Sequence, residues 1–203
     1  VIFGLAKKDH GTIKVKGKEI DITSPSVAVS NRIGFVTEDR RGEGLSLVSS
    51  VKWNITLPFI DRISSQMKLL KHQTEQKVTQ ALSDKLRIKT PTLETKVENL
   101  SGGNQQKIVI AKWLGAESEI LIFDEPTRGI DVGAKNEIYH LMEDLVKEGK
   151  AIIMISSELP ELMALSDRIM VFHDGLITAE LTDVQNLTEE EILHYAVIRQ
   201  EEE

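Results

Sequence analysis

Leu100-Ser101-Gly102-Gly103-Asn104-Gln105-Gln106-Lys107 sets a hydroxyl and two glycines at the mouth of a helix that runs on to Leu114. Without side chains at 102 and 103 a backbone can come close to a phosphate. The free N–H groups of the first turn and the positive end of the helix dipole then attract it. Ser101 is a natural N-cap and, through the same hydroxyl, a candidate phosphate ligand. Ile108, Val109, Ile110, Ala111, Trp113 and Leu114 give the helix a broad apolar face. A short way downstream, Glu119-Ile120-Leu121-Ile122-Phe123-Asp124-Glu125-Pro126 is an apolar strand ending in two carboxylates. Its continuous apolar run predicts a strand buried on both faces. Asp124 then falls at the C-terminal edge, where open α/β sheets place their ligands.

Upstream of this pair, Gly11 to Ile20 alternates apolar and polar residues around a Gly17-Lys18 turn, which predicts a hairpin with one solvated face. Ser24 to Asn31 reads as a short helix with Ser24 as N-cap and Pro25 first in the helix. Ile33 to Val36 is a short buried strand, followed by the charged stretch Thr37-Glu38-Asp39-Arg40-Arg41-Gly42-Glu43-Gly44. From residue 51 to 115 the pattern turns helical. Val51, Ile55, Phe59 and Ile63 share one spacing, and Val78, Leu82 and Leu86 another. Trp53 and Trp113 are expected to pack within this region or face a partner.

Downstream, Gly133 to Gly149 is an amphipathic helix with Ile138, Leu141, Met142 and Leu145 inward. Ala151 to Ile155 is expected to be another buried strand, and it delivers Ser156-Ser157-Glu158-Leu159-Pro160-Glu161. Arg168 to Phe172 and Leu176 to Leu181 pair across His173-Asp174-Gly175. Thr188 and Glu189 to Glu191 open a last helix with Ile192, Leu193, Ala196 and Val197 as its apolar side, and the acidic end Glu201 to Glu203 is expected to fray.

The chain has 203 residues, enough for one sizeable core, and a formal charge of 25 − 32 = −7 with no long basic block. Nucleic-acid binding by phosphate neutralisation is disfavoured. With no cysteine, disulfides, thiol nucleophiles and Cys-based zinc sites are excluded. No apolar run approaches the roughly 20 residues needed to span a bilayer. A cytosolic compartment is expected, with any membrane association made through a partner. Gly11 and Gly17-Lys18 mimic a phosphate loop, but the spacing is one residue too long and Glu19 stands where Ser or Thr is needed. No true phosphate loop occurs. Val1-Ile2-Phe3-Gly4 reads as the end of a helix with a glycine cap, so a fragment truncated before Val1 is expected.

Four stretches (Thr37 to Arg41, Leu100 to Lys107, Asp124 to Lys135 and Ser156 to Glu161) together resemble the ABC-type ATPases, and most closely the second, C-terminal ATPase half of bacterial ribose- and galactose-type sugar importers. The resemblance implies an α/β P-loop NTPase fold, with a mixed sheet, a small antiparallel β part and an inserted helical subdomain, lacking its N-terminal Walker A region. It implies one domain over 1–203: hairpin and Q-loop-like region in 1–50, helical subdomain with the signature motif in 51–115, and Walker B, D-loop, switch-loop core and tail in 116–203. ATP and Mg²⁺ are the implied cofactors. By resemblance, Glu125 orients or deprotonates the attacking water and Asp124 holds Mg²⁺. Ser101, Gly102, Gly103 and Gln105 contact nucleotide, and Asp131 couples the two sites of a dimer.

Three positions depart from the family pattern. Glu38 stands where a glutamine touches the metal; a carboxylate can still reach Mg²⁺ but alters the charge balance beside phosphate. Ser157 occupies the place of a histidine that contacts the γ-phosphate, and cannot carry an imidazole's proton. Asn104 replaces the commoner glutamine. The implied partners are another ATPase half of the same polypeptide or a second copy, transmembrane permease subunits, and indirectly a sugar-binding protein. The implied location is the cytoplasmic face of the bacterial inner membrane, held peripherally, with no nucleic acid bound. Alternatives are a silent dimerisation or regulatory module of the same fold, and a chromosome or DNA-repair ATPase, which the absence of sustained heptads disfavours.

Overall fold

Lys16 and Gly17 both take positive φ, 51° and 76°, the backbone of a two-residue turn that matches the twist of a hairpin. They fold β1 (Ile13–Val15) back onto β2 (Lys18–Ile20). The turn thus lies one residue earlier than the Gly17-Lys18 pair expected, and Lys18 opens the second strand. The computed structural model describes residues 1–65 and 69–197. The chain divides into two compact units, Val1–Ile155 and Ser156–Glu203, each with its own apolar cluster. The expected fraying of Glu201 to Glu203 lies outside the described residues.

In the first unit, residues 1 to 4 make a single turn closed by the Gly4 N–H on the Val1 carbonyl (2.8 Å). Gly4 has φ +80° and Phe3 packs on Phe35 and Trp113. Helix α1 (Pro25–Ser30) is capped by Ser24 Oγ, which accepts from the Val27 N–H. It leads into β3 (Ile33–Val36). β3, β4 (Ile120–Asp124) and β5 (Ala151–Ile155) form a parallel sheet in that order, with Ile33 opposite Ile120 and Ile120 opposite Ala151. β4 is central. Leu121 and Phe123 are fully buried, each contributing about 1.5–3 kcal/mol of transfer free energy.

β5 corrects an expectation. It pairs only with β4 among the described residues, and Ile153 and Ile155 are 42% and 49% exposed. An outer strand lacks a neighbour on one side, so an all-apolar sequence there does not imply burial.

The helical region opens with α2 (Val51–Thr56), whose N-cap Ser50 accepts from the Trp53 N–H at 3.1 Å. Pro58 then turns the chain into a 3₁₀ stretch, Leu57–Ile63. Val51, Ile55, Phe59 and Ile63 are buried as the spacing predicts. α3 (His72–Lys85) differs. Its most buried positions are Glu75, Thr79 and Ser83, while Val78 and Leu82 are half-buried. The polar stripe is satisfied locally: Thr79 Oγ1 donates to the Glu75 carbonyl (2.8 Å), Thr56 Oγ1 donates to the Glu75 carboxylate (3.3 Å), and Lys52 lies 3.9 Å from it.

α4 (Gly102–Gly115) is buried on nearly every side, with Ile108 to Ala111 inaccessible to solvent. Trp113 is buried and Trp53 is 40% exposed. α5 (Val132–Lys147) buries Ile138, Met142 and Leu145 and ends at Gly149, φ +85°.

In the second unit, α6 (Leu159–Leu165) precedes β6 (Ile169–His173) and β7 (Leu176–Leu181), an antiparallel pair joined at Asp174 and Gly175, both with positive φ. α7 (Glu189–Val197) packs Ile192 against Ile169, Val171 and Val184. Leu193 and Val197, expected on the apolar side, are exposed, because only the Ile192–Ala196 line of the helix faces that cluster.

Candidate functional site

Asp124 closes β4, and the chain turns sharply at Glu125, which holds φ +46°. The turn is fixed by main-chain bonds. The Glu125 N–H donates to the Ile155 carbonyl (2.9 Å), and the Glu125 carbonyl accepts from the Arg128 N–H (3.1 Å). Gly129 follows with φ +67°, and Asp131 caps α5 by accepting from the Ala134 N–H at 3.0 Å. Partial burial, then the charges of Glu125 and Glu43, raise the pKa of Asp124 above the usual carboxylate range.

Glu43 reaches this neighbourhood because residues Arg40–Gly44 form a π-helical turn. Asp39 caps that turn, its Oδ1 accepting from the Gly42 N–H (2.9 Å), and Thr37 Oγ1 donates to the Glu43 carboxylate (3.0 Å). Glu38, just before the turn, is exposed and ion-paired with Arg128. Arg40 reaches the same loop, its Nη1 donating to the Arg128 carbonyl (2.9 Å) and Nη2 to the Gly129 carbonyl (3.3 Å). Its Nε is buried with no hydrogen-bond partner among the described residues. Burial, and then the nearby Arg41, lower its pKa from the ordinary guanidinium value.

Arg40 also lies against the mouth of α4. A Cβ at Gly102 would sit 2.7 Å from Arg40 Nη2, and one at Gly103 would sit 2.7 Å from Ala134 Cβ. Both glycines therefore answer to close packing as well as to any ligand. Ser101 is exposed at the N-cap. Asn104 bonds to it and to the Lys89 main chain. Gln105, expected beside Ser101 as a nucleotide ligand, is only 3% exposed, and its amide donates to the Val97 and Leu100 carbonyls (3.1 and 3.2 Å). In this arrangement it braces the turn from within.

The sequence-derived residues thus fall into groups. Asp124 and Glu125 share the end of β4, with Glu43 electrostatically near. Glu38 meets the loop from Glu125 to Asp131 through Arg128, and Gly102 and Gly103 abut that loop and the start of α5. Ser157 belongs to the second unit, exposed on the segment before α6, where Ser156 Oγ bonds the Glu161 carboxylate (2.5 Å). Arg40 and Glu43 were not singled out by sequence. Their stretch read as a charged, Q-loop-like segment, and its one local signal was Asp39 three residues ahead of Gly42, the spacing of a helix N-cap.

Asp124 and the mouth of α4 could each meet a different part of a magnesium nucleotide. Asp124 is crowded by like charge that a divalent cation would neutralise. The first turn of α4 offers a hydroxyl and N–H groups that lack intrahelical acceptors.

A family model described as ABC transporter matches residues 1–128. Similar curated proteins include a putative ribose/galactose/methyl galactoside import ATP-binding protein 3 of Burkholderia cenocepacia (strain HI2424), 49% identical over 195 residues, which are 96% of this chain and 38% of that protein. The ribose import ATP-binding protein RbsA of Bacillus subtilis (strain 168) is 48% identical over 195 residues, 96% of this chain and 39% of that protein. The chain therefore spans less than two fifths of these relatives. Among solved structures, a nucleotide-free ATP-binding cassette from an ABC transporter superposes with TM-score 0.75 at 20% identity, covering 97% of this chain and 76% of that one. A dimeric cassette in a post-hydrolysis state bound to ADP and Pi gives 0.71 at 21% identity, covering 88% and 75%. At such identities these likenesses concern the fold.

Proposed function

Because the chain belongs to the ABC transporter family, we propose that it is an ATP-binding half of a bacterial importer for a ribose- or galactose-type sugar, and specifically the second half. The names of the relatives support the sugar class. The observation that carries the reading is Ser101, solvent-exposed on a turn held from behind by Gln105 and flanked by Arg40. Such a turn can be offered to a nucleotide whose phosphates another half cradles.

In this reading the two ATP sites are unequal. Ser101, Gly102 and Gly103 complete a site whose phosphate loop belongs to the partner half. The site on this half would hold Mg²⁺ through Asp124, with Glu38 nearby, and orient water through Glu125. The metal supplies charge neutralisation at the phosphates. Ser157 can hydrogen-bond but cannot hold or move a proton as an imidazole does, so this second site binds ATP and turns it over slowly. Asp131 couples the halves. Closure on ATP biases the permease subunits between inward and outward states, a population shift set by differential binding. A sugar-binding protein would act through those subunits, at the cytoplasmic face of the membrane, with no nucleic acid involved. No described helix is long and apolar enough to cross a membrane.

The test is transport by the intact importer. Ser101→Arg is expected to abolish it, and Glu125→Gln to reduce it less than the matching change in the other half. Equal and complete losses from both glutamine substitutions would refute the asymmetry. ATP binding without any turnover on either half would favour a silent dimerisation module.

A further inference from the structure

The Lys89 N–H can only donate, so the atom of the Asn104 amide that lies 2.7 Å from it is the oxygen Oδ1. That fixes the other end of the amide. Asn104 Nδ2 faces Ser101 Oγ at 3.0 Å, and an NH₂ group also only donates. Ser101 Oγ therefore accepts from Nδ2 and, at 3.5 Å, from the Asn104 main-chain N–H. Both acceptor positions of the hydroxyl are directed inward. Its proton remains to be donated, and among the described residues no acceptor receives it.

We propose that Asn104 is a positioning residue that sets the Ser101 hydroxyl as a hydrogen-bond donor toward the terminal phosphate of a nucleoside triphosphate held by another ATPase half. The proposal rests on the reading of Ser101 given above and adds a direction to it. An unrestrained serine hydroxyl rotates among three staggered positions, two of which waste its proton. Lys89 anchors the amide to the segment after α3, so the direction is built in before any nucleotide arrives. A hydrogen-bond donor fixed in advance costs no reorganisation when charge must be met.

The intact two-half polypeptide, assembled with its permease subunits in liposomes, provides the test, read as kcat/KM for ATP alongside Tm. Asn104→Asp keeps an oxygen facing the Lys89 N–H but turns the atom facing Ser101 into an acceptor, which draws the serine proton inward. It should lower kcat/KM about tenfold or more at unchanged Tm, a loss in line with a hydrogen bond to a charged group. Asn104→Ala should lose less, and Asn104→Asp should add nothing in a Ser101→Ala background. A merely structural brace predicts the reverse order, because Asp preserves the Lys89 bond that Ala removes; that order overturns the proposal. So does a full further loss from Asp in the Ser101→Ala background, which would mark direct repulsion of phosphate. A Ser101→Ala protein with unaltered kcat/KM would sink the underlying reading of Ser101 and this one with it. An impaired Ser101→Ala beside an unaffected Asn104→Asp would sink only the positioning role.

Discussion

Arg40 Nη1 donates to the main-chain carbonyl of Arg128 at 2.9 Å, joining two loops 88 residues apart in the chain. Arg128 meanwhile pairs its own side chain with Glu38, so the two segments are braced in both directions. Replacing Arg40 by Ala should free the Gly129 and Arg128 carbonyls and loosen the loop that carries Asp131. A stability loss of about 1–2 kcal/mol is expected, with faster amide hydrogen exchange over residues 128–131. Unchanged exchange there would show that the loop holds itself. Lysine should not rescue, since it lacks the fork that spans two carbonyls.

Gly103 tests the packing of α4 on α5. A Cβ at 103 would come within 2.7 Å of Ala134 Cβ, and neither backbone is at the end of a flexible side chain. Gly103→Ala should cost about 1–3 kcal/mol by overpacking. Ala134→Gly in the same protein should restore part of the loss, as measured by urea unfolding. Absence of any rescue would place the strain elsewhere.

The pKa of Asp124 is raised by burial first, then by Glu125 and Glu43. A raised folded-state value means that the proton stabilises the folded form below the ordinary aspartate range, and that this contribution is lost as pH climbs through the raised value. Glu43→Gln removes one of the like charges and should move the Asp124 titration downward, read by carbon-13 NMR of its carboxyl. Nucleotide binding that needs the ionised Asp124 should then persist to lower pH. No movement in the titration would mean that the Glu43 charge does not reach Asp124.

Glu75 sits 3% exposed in α3 with Thr56 and Lys52 as partners. Glu75→Ala takes the buried carboxylate from Lys52 and leaves a void beside Thr56, whose hydroxyl keeps the Lys52 carbonyl (2.9 Å), and should cost about 2 kcal/mol in urea unfolding. Glu75→Gln keeps a hydrogen-bond acceptor for Thr56 and should cost less. Equal costs for the two variants would show that charge, not hydrogen bonding, holds the stripe.

The parts of the fold that came from short-range rules were legible in the sequence. Ser24 and Ser101, read as N-caps, each accept from an N–H three residues on, and the apolar strand ending in Asp124 is where it was expected. What escaped depends on partners far away in the chain. Arg40 was one charge among several until its carbonyl partners at 128 and 129 came into place. The Glu75, Thr79 and Ser83 stripe has no hydrophobic periodicity, because its burial is supported by hydrogen bonds. β5 misled in the other direction, since side-chain chemistry reports what a strand can tolerate and not what covers it. Gln105 shows the same limit within the motif: its neighbours in sequence imply an outward role, and the carbonyls of Val97 and Leu100 turn it inward.

Glu125 occupies left-handed backbone at φ +46°, a conformation that disfavours an L-residue by roughly 1–2 kcal/mol and that Gly and Asn adopt with ease. Under the role proposed for Glu125, the loop carries that backbone cost for the sake of the carboxylate, and Glu125→Asn should relieve part of it, read as a gain in stability on urea unfolding. A carboxylate at this corner is held against the thermodynamic gradient of its own backbone.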